Sequence, residues 1–197
     1  MINKLFAAGI IIITMFKVVA IFLTNYSLFG DEAQYWLWSK SFDFGYFSKP
    51  PLTAWIIACY SWLFGDGFES LKLLSVSFYF ITALAVYRLC VNLKLGDRLS
   101  IICSLSFLIM PAVSVSSFFI STDVFLLLFW TMSMVVLLDI KKNPSYINFI
   151  TCGIMLGFAF LAKYAAVYFF VSLVCLFVFD RGFRSLLLSN ILKLLLF

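Results

Sequence analysis

Long apolar runs alternate with short polar breaks along the chain, and the run lengths predict the elements. Residues 5–23 are apolar for long enough to cross a hydrocarbon layer of about 30 Å as a helix, interrupted by Lys17. No small-x-small cleavage site follows before Asp31, so this run reads as an uncleaved anchor rather than a signal peptide. Residues 52–64 are apolar and aromatic but too short to span, which predicts a juxtamembrane helix ended by Gly65, Asp66 and Gly67. Residues 71–89 predict a second span. Residues 99–119 predict a third, with a kink at Pro111 whose freed carbonyl needs a partner inside the bundle. Ser121, Thr122 and Asp123 break the pattern before a fourth span at 124–138.

The next apolar run, 146–179, holds 34 residues and would measure about 51 Å as one helix, so it divides into two segments with Lys163 near the turn. A further apolar segment starts at 186 and runs to 197. The pattern predicts an all-α, polytopic transmembrane helix bundle of about six spans. It is expected to form one transmembrane domain over 1–197, the N-terminal portion of a longer one, with a loop at 26–70 that carries juxtamembrane helices.

Composition removes the alternatives. With 64% apolar residues, 20% aromatics and 12% charge, the 197 residues do not suit a soluble domain. The net charge of +5 comes from cations scattered singly between apolar runs, so it sets membrane orientation rather than nucleic-acid binding. Placing Lys4, Arg88, Lys94, Arg98, Lys141, Lys142, Arg181, Arg184 and Lys193 in the cytoplasm gives a cytoplasmic N-terminus and three outer tips. The tips carry Asp31, Glu32 and Lys49, then Thr122 and Asp123, then Lys163, so ionisable groups from separate hairpins can meet at one extracytoplasmic surface. The five cysteines lie in apolar segments without CxxC spacing and read as packing residues. The chain has no histidine, which excludes a Ser-His-Asp or Cys-His mechanism within it and leaves carboxylates, lysine or tyrosine for acid and base work.

The interval 30–52, GDEAQYWLWSKSFDFGYFSKPPL, is the one long stretch polar and varied enough for chemistry. Asp31 opens an apparent helix with Gln34 three residues on, so it reads either as an N-cap with a capping-box partner or, with Glu32, as functional carboxylates at a membrane surface. The aromatics Tyr35, Trp36, Trp38, Phe42, Phe44, Tyr46 and Phe47 suit an interfacial belt, or a groove for a sugar or prenyl chain. Lys49 is held off a helix by Pro50 and Pro51, which suits contact with a substrate phosphate or with anionic lipid. Asp123 reads as a helix cap with Thr122 or as a site residue, and Lys163 can snorkel to the interface. Lys17 lies far from either end of its span, and if it faces inward it needs an acid or a phosphate.

The pieces GDEAQYWLW, FDFGYFSKPPLTAW, STDVFLLLFW and GFAFLAKY, in that order and spacing, resemble the GT-C type glycosyltransferases that use lipid-linked sugars, family 39 mannosyltransferase-like proteins and aminoarabinose transferases. The resemblance implies an enzyme of the cell inner membrane whose active face is extracytoplasmic and whose donor is a polyprenyl-phosphate sugar. It implies a catalytic Asp31 with Glu32 beside it, Asp31 as the ligand of a divalent metal, and Lys49 and Lys163 near the donor phosphate. Asp123, Tyr35 and Lys17 complete the substrate-binding set expected here. Two positions depart from the family pattern: Ser48 stands where relatives often carry an acid, and Val124-Phe125 where they usually have a proline. The expected reaction is inverting transfer to an extracytoplasmic glycan, lipid or protein. The alternatives are a non-catalytic transporter of lipid-linked sugars, with Lys17 as its coupling residue, and an inactive truncated remnant.

Overall fold

A computed structural model describes residues 2–24 and 27–194, all of whose regular elements are helical. The start of the expected 26–70 loop and the end of the 186–197 segment lie outside the described residues. The helices are α1 (Ile2–Leu23), α2 (Gly30–Trp38), α3 (Leu52–Phe64), α4 (Phe68–Asn92), α5 (Asp97–Ile109) and α6 (Pro111–Ser116). They continue with α7 (Thr122–Lys142), α8 (Tyr146–Ala162), a 3₁₀ turn (Tyr164–Ala166), α9 (Val167–Phe179), α10 (Arg181–Ser189) and α11 (Ile191–Leu194).

By length and apolarity three of these can cross a membrane, namely α1, α4 and α7, and a fourth span results if the bent pair α9 and α10 is counted as one. Among the described residues the count is thus three or four, fewer than the six expected. The predicted third span, 99–119, fails because Pro111 cannot donate an N–H: α5 stops at Ile109, Met110 is extended, and α6 adds a single short helix. The 34-residue run does divide, at Lys163, whose extended backbone ends α8 before the 3₁₀ turn. The halves hold 17 and 13 residues, which gives each less than a full span. Beyond α9 the chain turns by 103° into α10, which Asp180 starts by accepting from the Phe183 N–H at 3.0 Å.

α4 and α7 form the centre. α7 packs against α4 and α8, and α4 also packs against α1 and α5. Ala83, Ala159 and Ala162 are fully buried in these seams, where small side chains let helices approach closely. Tyr79, Leu74, Val124 and Phe125 fill the core around them, and Phe149, Cys152 and Leu156 form a second cluster between α7 and α8. All five cysteines are free.

Backbone polar groups released by the Pro111 break have no water to bond inside a bilayer, so the bundle must supply partners. Ser114 Oγ donates to the Leu108 carbonyl at 3.1 Å, and Ser75 Oγ from α4 donates to the Phe119 carbonyl at 2.8 Å. These bonds fix the non-helical segment 117–121 against α4 and set the start of α7.

Candidate active site at one end of the bundle

α2 begins after Phe29, which has extended backbone, so Gly30, Asp31 and Glu32 occupy its first turn. The expected capping pair of Asp31 with Gln34 does not form. Glu32 takes that part instead: its Oε2 accepts from the Phe29 N–H at 3.0 Å. Its other oxygen, Oε1, accepts from the buried Ile120 N–H at 2.8 Å. Ile120 lies in the segment freed by the proline break, and its N–H would otherwise be orphaned. One carboxylate, only 2% exposed, thus ties the first tip to the second across 88 residues of sequence.

Asp31 points the other way. It is exposed and has no hydrogen-bond or ion-pair partner among the described residues. Tyr35, one turn on, is buried, and its phenol is raised above the ordinary value by burial first and then by the charges of Asp31 and Asp123.

Asp123 sits in the first turn of α7 after Ser121, and neither it nor Thr122 forms a side-chain cap. Its Oδ1 instead receives Lys163 Nζ at 2.6 Å, joining the second tip to the third. The lysine therefore pairs with an acid rather than snorkelling alone. Both partners are partly exposed, and an ion pair in that setting is worth at most about 1 kcal/mol, so a phosphate can compete for the lysine.

Lys49 closes a tight turn in which its backbone exchanges two hydrogen bonds of 3.2 Å with Tyr46. Ser48 stands in the left-handed region at φ 73°, an uncommon conformation for a residue other than glycine. The Lys49 ammonium is half-buried and has no partner among the described residues.

The aromatics brace this loop. Tyr46 stacks on Trp38 with centroids 5.1 Å apart, Phe42 stacks on Trp55 at 5.3 Å, and Trp55 Nε1 donates to the Asp43 carbonyl at 2.9 Å. A second clamp, which composition does not reveal, holds the other end of α2: Lys40 Nζ meets Asp66 at 2.6 Å and lies over the Trp36 ring, while Trp36 Nε1 donates to the same acid at 3.3 Å. Lys40 and Asp66 are 26 residues apart, so nothing in local spacing announces the pair.

Lys17 does not join this cluster. It is 4% exposed within α1, and its Nζ has no hydrogen-bond partner among the described residues. Lys72, in α4, is also buried.

Among the described residues no three potential ligands come together. Glu32 gives both oxygens to backbone N–H groups, Asp123 is paired with Lys163, and the position before Lys49 is Ser48. Asp31 thus has no ready-made set of further ligands among the described residues, and Lys49 and Lys163 are the cations placed at this end.

Residues 48–197 match the dolichyl-phosphate-mannose-protein mannosyltransferase family. Lys49, Asp123 and Lys163 fall inside the match, whereas α2 precedes it. The chain is also 32% identical over 165 residues to the lipid A galacturonosyltransferase RgtD of Rhizobium johnstonii. That alignment takes in 82% of this chain and 35% of the relative, so the chain spans about a third of the relative's length. No solved structure matches.

Proposed function

Because this chain belongs to the dolichyl-phosphate-mannose-protein mannosyltransferase family, we propose that its charged end is the active site, or the part of one, of a membrane glycosyltransferase. The donor is a sugar on a polyprenyl phosphate, and the charged end faces the extracytoplasmic side of the inner membrane. One observation carries the reading: of the three acids gathered here, Asp31 alone is left unengaged by protein groups among the described residues.

In the proposed reaction Asp31 takes the proton of an acceptor hydroxyl as that oxygen attacks the anomeric carbon. The bond from that carbon to the phosphate oxygen breaks with inversion, and the electron pair leaves on the lipid phosphate. Lys49 offsets the charge gathering on that phosphate, and Lys163 swings from Asp123 to join it through charge-assisted hydrogen bonds. Glu32 is a positioning residue, holding the turn that carries Asp31 against the start of α7. Tyr35, one turn beyond Asp31, is buried beneath it in α2 and carries no charge of its own in the reaction. The name of the relative, a lipid A galacturonosyltransferase, favours a lipid acceptor.

The test is sugar transfer from a radiolabelled polyprenyl-phosphate donor in membranes containing the protein. Asp31→Asn is expected to lower the rate by about 10²–10⁴, the range a positioned general base supplies. Transfer at the unmodified rate would remove Asp31 from the mechanism.

A further inference from the structure

Two largely apolar cavities lie along the seam between α1 and the α5–α6 break, one of them reaching Phe29 beside the charged end. One, of about 440 Å³, is walled by Ala20, Phe29, Val115 and Phe119 and contains Lys72. The other, of about 380 Å³, is walled by Ile12, Phe16 and Ile109 and contains Lys17. They meet at Ser114 and Phe118, which line both. No acidic side chain lines either cavity among the described residues, and neither Asp31, Lys49, Asp123 nor Lys163 does so.

Lys17 is six residues before the end of α1, which puts its Cα about 9 Å below that end. A buried ammonium at such depth is costly unless an anion compensates it. The protein offers its Nζ no partner among the described residues, yet the side chain lines an open cavity. The wall residues Ile12 and Phe16 are 67% and 73% exposed, so this cavity opens sideways, toward lipid rather than toward the charged tips.

We propose that this seam seats one acidic phospholipid of the surrounding bilayer, its phosphate taken by Lys17. Charge selects the occupant: the buried Lys17 ammonium, in a cavity lined by no acid among the described residues, complements a single anionic head. Access selects a phospholipid, because the cavity that holds Lys17 opens past the exposed Ile12 and Phe16 directly to the bilayer. The bound lipid fills the gap between α1 and α6 and reaches Phe29, the residue from which α2 starts.

The experiment reconstitutes the protein in nanodiscs containing phosphatidylglycerol and phosphatidylcholine, strips it in detergent, and counts retained lipid by native mass spectrometry. The unmodified protein is expected to keep one phosphatidylglycerol and no phosphatidylcholine. Lys17→Met should lower that retention about tenfold, the factor of one lost charge-assisted hydrogen bond, and Lys17→Arg should keep it. Val115, 60% exposed on the rim, offers a variant that leaves both charges and the core intact: Val115→Trp fills the larger cavity and should also strip the lipid. Equal retention of the two lipids by the unmodified protein would overturn the proposal, as would undiminished phosphatidylglycerol on Lys17→Met. So would displacement of the phosphatidylglycerol by polyprenyl phosphate, which would make the seam a donor site. None of these outcomes depends on sugar transfer.

Discussion

The two ends of the bundle handle charge in opposite ways. At the far end Asn92 Nδ2 donates to Asp139 at 3.0 Å, Lys142 Nζ donates to Asn92 Oδ1 at 3.0 Å, and Lys142 lies 3.8 Å from Asp139. Every group in that triangle has a protein partner, and the triangle fastens the end of α4 to the end of α7. Nearby, Lys141 faces Asp180 across 3.9 Å. The α2 end is open by contrast. Glu32 is closed, Asp123 and Lys163 hold each other weakly, and Asp31 and Lys49 are unengaged by protein groups among the described residues. A closed network spends its hydrogen bonds on holding helices together, whereas an open one keeps capacity for a substrate.

The contrast is sharpest for transfer. Asp31→Asn should lower the rate by about 10²–10⁴, while Asp139→Asn at the far end should leave it within about twofold; a comparable loss from both would erase the distinction. Next comes the closed residue inside the open end. Glu32→Ala removes two hydrogen bonds to a charged group and orphans the Ile120 N–H, at a cost of about 3 kcal/mol in unfolding free energy. Glu32→Gln should recover part of that stability, which denaturant unfolding in micelles would measure.

Lys163→Met should lower kcat/KM for transfer about tenfold, through a lost phosphate contact, with little change in stability because the pair it breaks is partly exposed. Asn92→Ala should do the reverse, losing about 1 kcal/mol of stability with transfer unchanged. The smallest effect is electrostatic. The Tyr35 phenol is raised above 10.0 by burial, Asp31 and Asp123, so the folded state favours its neutral form. The stability this contributes is complete below pH 10 and is lost as pH rises through the folded-state value. Ultraviolet titration should show its midpoint falling toward 10 in Asp31→Asn and, separately, in Asp123→Asn.

Much of this arrangement is legible from run lengths. The juxtamembrane helix at 52–64, the long helices near 71–89 and 124–138, and the division at Lys163 all follow from where apolar residues start and stop. The grouping of Asp123 with Lys163 follows from placing tips on one side. The count of spans does not follow, because hydropathy treats 99–119 as continuous and Pro111 acts on the backbone, not on polarity. The role of Glu32 is equally hidden, since its partner is a backbone N–H 88 residues away and carries no residue-type signal. For Lys17, apolar content cannot say which face of α1 turns inward, so burial emerges only from packing.

α7 carries Asp123 near one end and Asp139 near the other, 16 positions apart and so separated by about 24 Å along one uninterrupted helix. Its length therefore acts as a gauge between the two faces, and its rotational phase is fixed at both ends at once. One residue inserted in the middle would turn one end by about 100° against the other. Asp123 could then meet Lys163, or Asp139 could meet Asn92, but a rigid rod could not satisfy both.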